Sequence, residues 1–305
     1  MSPRLALSIP ATELLFKPVF RLALNARFSP AIQRRLLEAS ALPIPPVPDR
    51  VIRHITLGGR PTERVSVGAT EHGRAILYLH GGGYTVGSPY SHRGLTASLA
   101  RDADAEVYVI DYRLAPEHPC PAAVDDAVAA FRDLVSRGYR PESIAIAGDS
   151  AGGGLSVAAA RVLIDEHGLH PAALGLISPW VDPAVRQDDN GTDIVVNSAW
   201  SRQAAELYLG DGDPDDQRYA PGRGDLRGLP PTLVQIGQPE MLFDQVTEFT
   251  HTLRDAGVET TLSDLGRLWH VGHVAAPMMP AADAAVNELG SFLAGHLKTS
   301  EAVLT

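Results

Sequence analysis

A serine flanked by small residues is the clearest chemical feature of the sequence. The segment 148–152, GDSAG, fits the pattern G-x-S-x-G and directly follows the apolar run 143–147. Where a strand turns sharply into a helix, the backbone of the residue at the turn is strained, and only small neighbours fit around it. We therefore predict that Ser150 is a nucleophile at a strand-to-helix turn. An ordinary small-residue loop is the alternative.

Three consecutive glycines stand about seventy residues upstream, after another apolar run. Residues 74–79 are predicted to form a buried strand that leads into the loop 80–84, HGGGY. In acyl transfer a negative oxygen develops on the attacked carbonyl, and backbone N–H groups already aimed at it supply much of the catalysis. We predict such an oxyanion hole from the N–H groups of Gly82, Gly83 and Ala151, the last at a helix N-terminus. A plain glycine turn is the alternative.

These motifs resemble those of the hormone-sensitive-lipase-like esterases, also called bacterial family IV of the α/β hydrolases. The runs HGGG at 80–83, DYRLAPE at 111–117 and GDSAGG at 148–153 match the signature of that family. The likeness extends from about residue 51 to 297, whereas the first forty-odd residues and roughly 184–228 match only in general character. The resemblance implies a carboxylesterase that acts on short to medium acyl chains or on lactones.

A serine nucleophile needs a base to take its proton and an acid to orient that base. In α/β hydrolases the acid follows the seventh strand and the histidine follows the eighth. The resemblance assigns the acid to Glu240, where most members have aspartate, and the base to His270. Asp244, one helical turn later, and His273, three residues on, are the rival assignments. Glu240 could instead only complement a helix dipole.

Other residues near these motifs are predicted to support the site. His80 is expected to fix the glycine loop by side-chain hydrogen bonds, and Asp149 to order neighbouring loops. The charges of the run 111–117 are expected to form a buried polar turn in which each is paired, because unpaired buried charges are costly. Four aromatic side chains are candidates for an apolar substrate pocket: Tyr84, Trp180, Trp200 and Tyr208.

Strand and helix patterns alternate along the chain, which is typical of a mostly parallel sheet with helices on both faces. Strands are predicted at 51–57, 62–67, 74–79, 106–111, 143–147, 173–178, 231–236 and 259–263. Helices are predicted between them at 93–103, 122–137, 151–167, 198–209, 242–256 and 281–296. We expect an α/β-hydrolase fold whose eight-stranded sheet forms the catalytic domain, residues 46–305. A helical cap would combine residues 1–45 with roughly 184–228, and a proline-rich linker, 43–48, would precede the first strand.

Composition narrows the class of protein. The 305 residues, 45% hydrophobic and 20% charged, suffice for one large core. A net charge of −10 argues against nucleic acid or an anionic membrane as partner, since both attract a basic surface. The single cysteine, Cys120, excludes an internal disulfide and fits a reducing compartment, so a cytoplasmic location is expected.

The apolar segments near the N-terminus are interrupted by Pro10, Lys17, Pro18 and Arg21. They are too short for a membrane span, and we interpret them as amphipathic helices rather than a signal peptide. In the resembled family this region packs over the active site as part of a lid. Peripheral membrane contact through the apolar faces of these helices stays open.

No metal or cofactor is implied by the sequence. The histidines and acids lack H-E-x-x-H and Cys-pair spacing, and the glycines at 148–154 lack the Gly-Lys-Ser/Thr of a P-loop. Lactone hydrolase, amidase or thioesterase activity on the same triad remains an alternative, because pocket shape decides the leaving group. A non-catalytic receptor, like the plant gibberellin receptor that resembles this family, is disfavoured because the histidine position is filled. A homodimer through the sheet edge is expected by family analogy only.

Overall fold

The computed structural model describes residues 6–41, 44–69, 73–189 and 191–300. The first residue of the predicted linker, Pro43, and the ends of the predicted cap and catalytic ranges, 1–5 and 301–305, lie outside the described residues. Eight strands occur: β1 (Arg50–Leu57), β2 (Arg60–Val67), β3 (Ala75–Leu79), β4 (Glu106–Ile110), β5 (Ile144–Asp149), β6 (Leu174–Ile177), β7 (Thr232–Ile236) and β8 (Thr260–Asp264). Each predicted strand is confirmed to within two residues at either end.

The helices also follow the predicted pattern. They are α1 (Ile9–Ala23), α2 (Pro30–Ser40), α3 (Arg93–Ala103), α4 (Ala122–Ser136), α5 (Ala151–His167), α6 (Ser198–Leu209), α7 (Phe243–Asp255) and α8 (Pro280–His296). For the six helices whose bounds the sequence predicts, α3 to α8, the observed bounds agree within one residue. A 3.6-residue periodicity explains the agreement for α4 and α7, whereas α5 was indicated by its run of small and apolar residues after the turn.

All eight strands join in one sheet with the order β1-β2-β4-β3-β5-β6-β7-β8. β1 and β2 form an antiparallel hairpin, β2 pairs antiparallel with β4, and the remaining strands run parallel. Parallel neighbours need crossover connections, which carry the helices to both faces of the sheet. The carboxyl ends of the parallel strands therefore meet at one edge of the sheet, and the loops that follow them lie together.

The core lies on both faces of the sheet, and β3 shows how one strand serves both. Its side chains alternate between two hydrophobic clusters. Leu77 and Leu79 pack with α4, α5 and α7, whereas Ile76 and Tyr78 pack with α3 and α8. Every residue of β3 is buried, as expected for a central parallel strand covered on both sides. A rigid central strand fixes the start of the glycine loop that follows it.

The helices α1 and α2 form a cap beside the carboxyl ends of the strands. The rings of Phe16 and Phe20 lie 5.8 and 5.6 Å from that of Trp269, which precedes the predicted catalytic histidine. Arg34 of α2 donates hydrogen bonds to the carbonyl of Thr85 at 2.8 Å and to the carboxylate of Glu117 at 2.7 Å. These contacts fasten both cap helices to loops of the site. Among the described helices, none combines the length and apolar character of a membrane-spanning segment.

Two charges of the polar turn at 111–117, Arg113 and Glu117, are paired as predicted, but the turn is not buried throughout. Arg113 binds Asp126 of α4 at 2.7 Å, and Glu117 binds Arg34. The Glu117 side chain is 54% exposed, so the expectation of a buried turn was wrong for this residue. The turn runs outward to meet the cap helix α2, a contact that its local sequence does not encode.

Candidate active site

Ser150 lies at the sharp turn between β5 and α5. Its backbone has φ 52° and ψ −120°, a conformation that side-chain-bearing residues rarely adopt. Gly152, in the first turn of α5, faces the carbonyl oxygen of Leu79 so closely that a Cβ there would collide with it. The small residues around Ser150 thus permit the close approach of α5 to β3, and the turn projects the serine from the edge of the sheet.

Three side chains from distant parts of the chain form a continuous hydrogen-bonded series. Ser150 Oγ lies 3.0 Å from His270 Nε2, and His270 Nδ1 lies 2.7 Å from Glu240 Oε2. Glu240 follows β7 and His270 follows β8, so the sheet brings both to the loop edge that carries Ser150. All three residues are buried. Chemically, the arrangement allows the histidine to accept the serine proton while the carboxylate holds the other ring nitrogen.

Glu240 is itself held by two further donors. The backbone N–H of Gly237 donates to Oε1 at 2.7 Å, and the hydroxyl of Ser178 donates to the same oxygen at 2.9 Å. Oε2 is left for His270. Sequence reasoning missed Ser178, although a polar residue directly after the buried strand β6, beside β7 in the sheet, is a signal that could have indicated it.

The two rival residues lie elsewhere. Asp244 is in the first turn of α7 and is exposed. His273 is buried, but its Nε2 contacts Gln235 Oε1 at 3.0 Å rather than the serine. Burial lowers the pKa of His273 to about 3, so its ring is neutral at ordinary pH.

The backbone N–H groups proposed for the oxyanion hole come from the glycine loop after β3 and from the first residue of α5. Within the described part of the chain, no hydrogen bond is made by the N–H of Gly82, Gly83 or Ala151. Gly82 has φ 119°, a conformation open to glycine, and a Cβ there would collide with the carbonyl of Val86. The glycine loop is therefore tightly folded with its donors unsatisfied, as an anion site requires.

A buried carboxylate ties the glycine loop to the serine turn. Asp149 Oδ1 accepts hydrogen bonds from the N–H of Gly81 at 3.0 Å and from the hydroxyl of Tyr78 at 2.8 Å. Its Oδ2 lies 3.3 Å from His92 Nε2. Burial would raise the pKa of Asp149, but the charge of His92 and these hydrogen bonds outweigh it, so the pKa is lowered. Asp149 thus remains ionised and orders the loop.

His80 fixes the start of the same loop. Its Nδ1 lies 2.8 Å from the carbonyl of Gly81, and its ring stacks on Tyr112 with centroids 4.2 Å apart. Burial lowers the pKa of His80 to about 3, so the ring stays neutral and donates from Nδ1. Its placement agrees with the loop-fixing interaction expected from the sequence.

The electrostatics of the pair His270 and Glu240 suit general-base chemistry. Burial alone would lower the pKa of His270, but the hydrogen bond and charge of Glu240 outweigh it and raise that pKa above 6.5. Burial also raises the pKa of Glu240 above 4.5, although its bond to His270 opposes this shift. The carboxylate therefore increases the basicity of the imidazole that faces Ser150.

Two cavities meet at Ser150. One, of about 210 Å³, extends toward α6 and includes polar side chains such as Arg186 and Glu206. The other, of about 80 Å³, lies under the cap and is lined by apolar residues such as Phe16 and Phe20. The inner wall of this second cavity includes Gly82 and His270, so it reaches the reacting atoms.

The four predicted pocket aromatics divide into two pairs. Trp180 lines the larger cavity, and Trp200 lines both. Tyr84 and Tyr208 stack on each other with centroids 3.6 Å apart, and neither lines either cavity at Ser150. Within the described residues, no group of three His, Cys, Asp or Glu side chains is arranged to hold a metal ion.

The chain is similar to known hydrolases in sequence. The profile of the alpha/beta hydrolase fold family matches residues 76–274. An acetyl-hydrolase of Streptomyces hygroscopicus is 41% identical over 250 residues, which are 78% of this chain and 84% of that protein. An esterase of Acinetobacter venetianus is 31% identical over 286 residues, which are 92% of this chain and 94% of that protein. The class is thus the α/β hydrolases.

A solved structure narrows the class further. The crystal structure of an esterase from the bacterial hormone-sensitive lipase family has a TM-score of 0.89 and 36% identity, covering 94% of this chain and 98% of that one. The chain belongs to the bacterial hormone-sensitive lipase family and is a carboxylesterase. The family resemblance and the fold class predicted from the motifs are both confirmed.

Proposed function

We propose that this chain hydrolyses esters of short to medium acyl chain through an acyl-enzyme intermediate on Ser150. The observation that carries the proposal is the buried series Ser150–His270–Glu240, with contacts of 3.0 and 2.7 Å. Free backbone donors at Gly82, Gly83 and Ala151 support it, because such donors stabilise the developing oxyanion.

The proposed reaction has two halves. His270 Nε2 takes the proton of Ser150 as Oγ attacks the ester carbonyl, and Glu240 stabilises the imidazolium that forms. The tetrahedral oxyanion collapses, and His270 returns the proton to the departing alcohol. Water then enters, loses a proton to His270 and attacks the acyl-enzyme. Collapse of this second oxyanion breaks the bond to Ser150 Oγ, which takes the proton back from His270 as the carboxylic acid is released.

The cavities support a preference for short acyl groups. The space under the cap is small, about 80 Å³, and apolar, so it favours a chain of few carbons. The larger cavity, lined in part by Trp180 and Trp200, would take the other portion of the substrate. The Streptomyces relative is called an acetyl-hydrolase, which agrees with this preference. Lactones, amides and thioesters remain alternative substrates for the same groups.

We also propose that residues 184–228 complete the cap begun by residues 1–45, over a catalytic domain at 46–305. Asn197, just before α6, donates to the carbonyl of Leu24 at 3.0 Å, and Gln33 of α2 donates to Gln203 of α6 at 3.2 Å. A cytoplasmic location and a homodimer through the sheet edge are further proposals. The dimer is supported by β8, which pairs only with β7 among the described strands.

The test combines a substrate series with active-site labelling. p-Nitrophenyl esters from acetate to palmitate, a lactone and an anilide would be compared, and a fluorophosphonate probe would be mapped by mass spectrometry. We expect activity to be highest on the short esters and the label to be on Ser150. Ser156, also buried in α5, is the matched site that should stay unlabelled. Tight binding of a small molecule without turnover of any substrate would instead favour the receptor.

Ser178→Ala is expected to lower kcat about tenfold with KM nearly unchanged. The change removes one of two donors to Glu240 Oε1, and a hydrogen bond to a buried charged group contributes on the order of 1.5–3 kcal/mol. Ser156→Ala, which removes a buried hydroxyl bonded to the Gly152 carbonyl, is the control. Equal losses in both variants would contradict a positioning role.

The pH dependence of kcat/KM should report the protonation of His270. Only the neutral ring can accept the serine proton, so kcat/KM should rise with pH through the pKa of His270, with an inflection above 6.5. Glu240→Gln removes the negative charge that raises the pKa of His270, whereas burial still lowers that pKa. The residual activity of this variant should therefore inflect at lower pH. Steady-state rates on a short ester across the pH range would measure both. If the inflection lies at the same pH in the unchanged protein and in Glu240→Gln, Glu240 is not the carboxylate that raises the pKa of His270.

A further inference from the structure

The outer face of the cap carries most of the exposed large apolar side chains. Six such side chains are exposed among the described residues, and four of them lie on α1 and α2: Leu14, Leu15, Leu22 and Ile32. Leu14 is 81% exposed, the highest value of the six. Single exposed leucines are ordinary on protein surfaces, but a cluster on one element indicates an interaction.

Helix α1 is apolar on two opposite faces. Its inner face buries Phe16 and Phe20, four residues apart. Its outer face holds Leu14, Pro18 and Leu22, also four apart, and all three are exposed. A helix on a protein surface normally presents polar residues outward, so packing within the chain does not account for the second apolar stripe.

An open groove between the two helices extends this stripe. It has a volume of about 400 Å³ and contains no charged side chain. Its lining residues come from both helices: Leu15, Phe16, Pro18, Val19, Leu22, Leu36, Ala39 and Ser40. The stripe and the groove together form one apolar surface, which we call the outer cap face.

The charge around the outer cap face is opposite to that of the whole protein. Residues 6–41 carry five basic and two acidic side chains, whereas the whole chain carries 26 basic and 36 acidic ones. Arg34 is paired with Glu117. In the part of the chain that the structure describes, no carboxylate pairs with the other four basic residues: Lys17, Arg21, Arg27 and Arg35.

We propose that the outer cap face adsorbs to an anionic lipid surface. Apolar side chains flanked by lysine and arginine are what an interfacial helix presents to such a surface, where each nearby basic residue adds attraction. The overall charge of −10 does not prevent this, because at physiological salt charges act over roughly 8 Å and the local face decides. A second copy fits less well, since a two-fold contact would oppose these basic residues to themselves.

Adsorption would bring the membrane close to the catalytic site. The inner face of α1 lines the cavity at Ser150, and the outer face lies only one helix diameter away, about 10 Å. Esters that partition into lipid could then reach the cavity from the surface. This consequence rests on the proposed ester hydrolysis, whereas the adsorption itself does not.

The test is sedimentation of the full chain with vesicles of phosphatidylglycerol and phosphatidylcholine, compared with phosphatidylcholine alone. We expect binding to the anionic vesicles that weakens with salt. Leu14→Gln with Leu22→Gln, and separately Lys17→Glu with Arg21→Glu, should each reduce the partition coefficient at least about tenfold. Circular dichroism and hydrolysis of p-nitrophenyl acetate without vesicles should remain unchanged in these variants, which separates adsorption from folding and from catalysis.

Matched variants outside the cap complete the experiment. Val51→Gln changes an apolar residue about as exposed as Leu22, and Arg53→Glu with Arg132→Glu makes the same change of charge on other surfaces. Both should bind vesicles like the unchanged protein. The proposal is overturned if the unchanged protein does not bind anionic vesicles, or if cap and control variants lose binding equally. It is also overturned if the protein does not bind vesicles but forms a dimer that Leu14→Gln with Leu22→Gln dissociates.

Discussion

Ser150→Ala is expected to lower kcat on a short p-nitrophenyl ester by roughly 10⁴- to 10⁶-fold. The nucleophile and its base act as a unit, so loss of either removes the acyl-enzyme route and leaves only the contribution of the oxyanion donors and of binding. His270→Ala should cause a loss of the same size. Since each change already disables the unit, the double variant should be little worse than either single one.

The controls for this prediction are residues of the same type nearby. Ser156→Ala and His273→Ala alter buried side chains that bond to Gly152 and Gln235 rather than to the reacting atoms. Both should retain activity within about tenfold once folding has been checked by thermal denaturation. If His273→Ala is inactive while His270→Ala is active, the base has been misassigned. If Ser150→Ala retains most activity, the acyl-enzyme mechanism is wrong.

Glu240→Gln is expected to lower kcat by about 10⁴-fold, since the amide preserves the shape but removes the charge that holds the histidine tautomer. The 2.7 Å contact with His270 Nδ1 would become a bond from a ring nitrogen to a neutral amide, or would orient the ring with the wrong nitrogen protonated. The imidazolium would also lose its counter-charge in a buried site. Single-turnover rates on a short ester would measure the loss of the chemical step.

Two further variants make this second prediction specific to Glu240. Glu240→Asp keeps the charge but withdraws the carboxylate by about one bond length, so it should lose activity less than the amide variant. Asp244→Asn, on the exposed start of α7, should leave kcat unchanged. If Asp244→Asn causes the larger loss, the rival acid is correct. If Glu240→Gln is nearly active, the carboxylate only stabilises the loop.

Local sequence patterns were sufficient for the elements and for the motif-bearing loops. Continuous apolar runs indicated β3 and β5, and a stretch of small and apolar residues after the turn indicated α5, because each pattern is contained in a short stretch of chain. Small residues at 148–154 indicated the tight turn at Ser150, since only they permit the close approach of helix and strand. The positions of Glu240 and His270 within the family motifs then indicated that they are the acid and the base.

The supporting contacts were decided by the tertiary structure. Ser178 reaches Glu240, and Arg34 reaches Glu117, across 62 and 83 residues of chain. No local pattern predicts such pairs, because they form only after the strands have assembled into the sheet and the cap has packed against it. For the same reason the sequence did not separate the aromatics that line the cavities, such as Trp200, from those that stack in the core, such as Tyr84.

By itself, the sequence determined the class of fold, the order of its elements and the types of residue available for acyl transfer, since these depend on spacing along the chain. Only the tertiary structure decided which face of each element is covered. Leu14 and Phe16 are both apolar residues of α1, yet one is 81% exposed and the other is buried. Burial depends on what packs against a residue from elsewhere in the chain. The outer cap face could therefore be identified only from the tertiary structure.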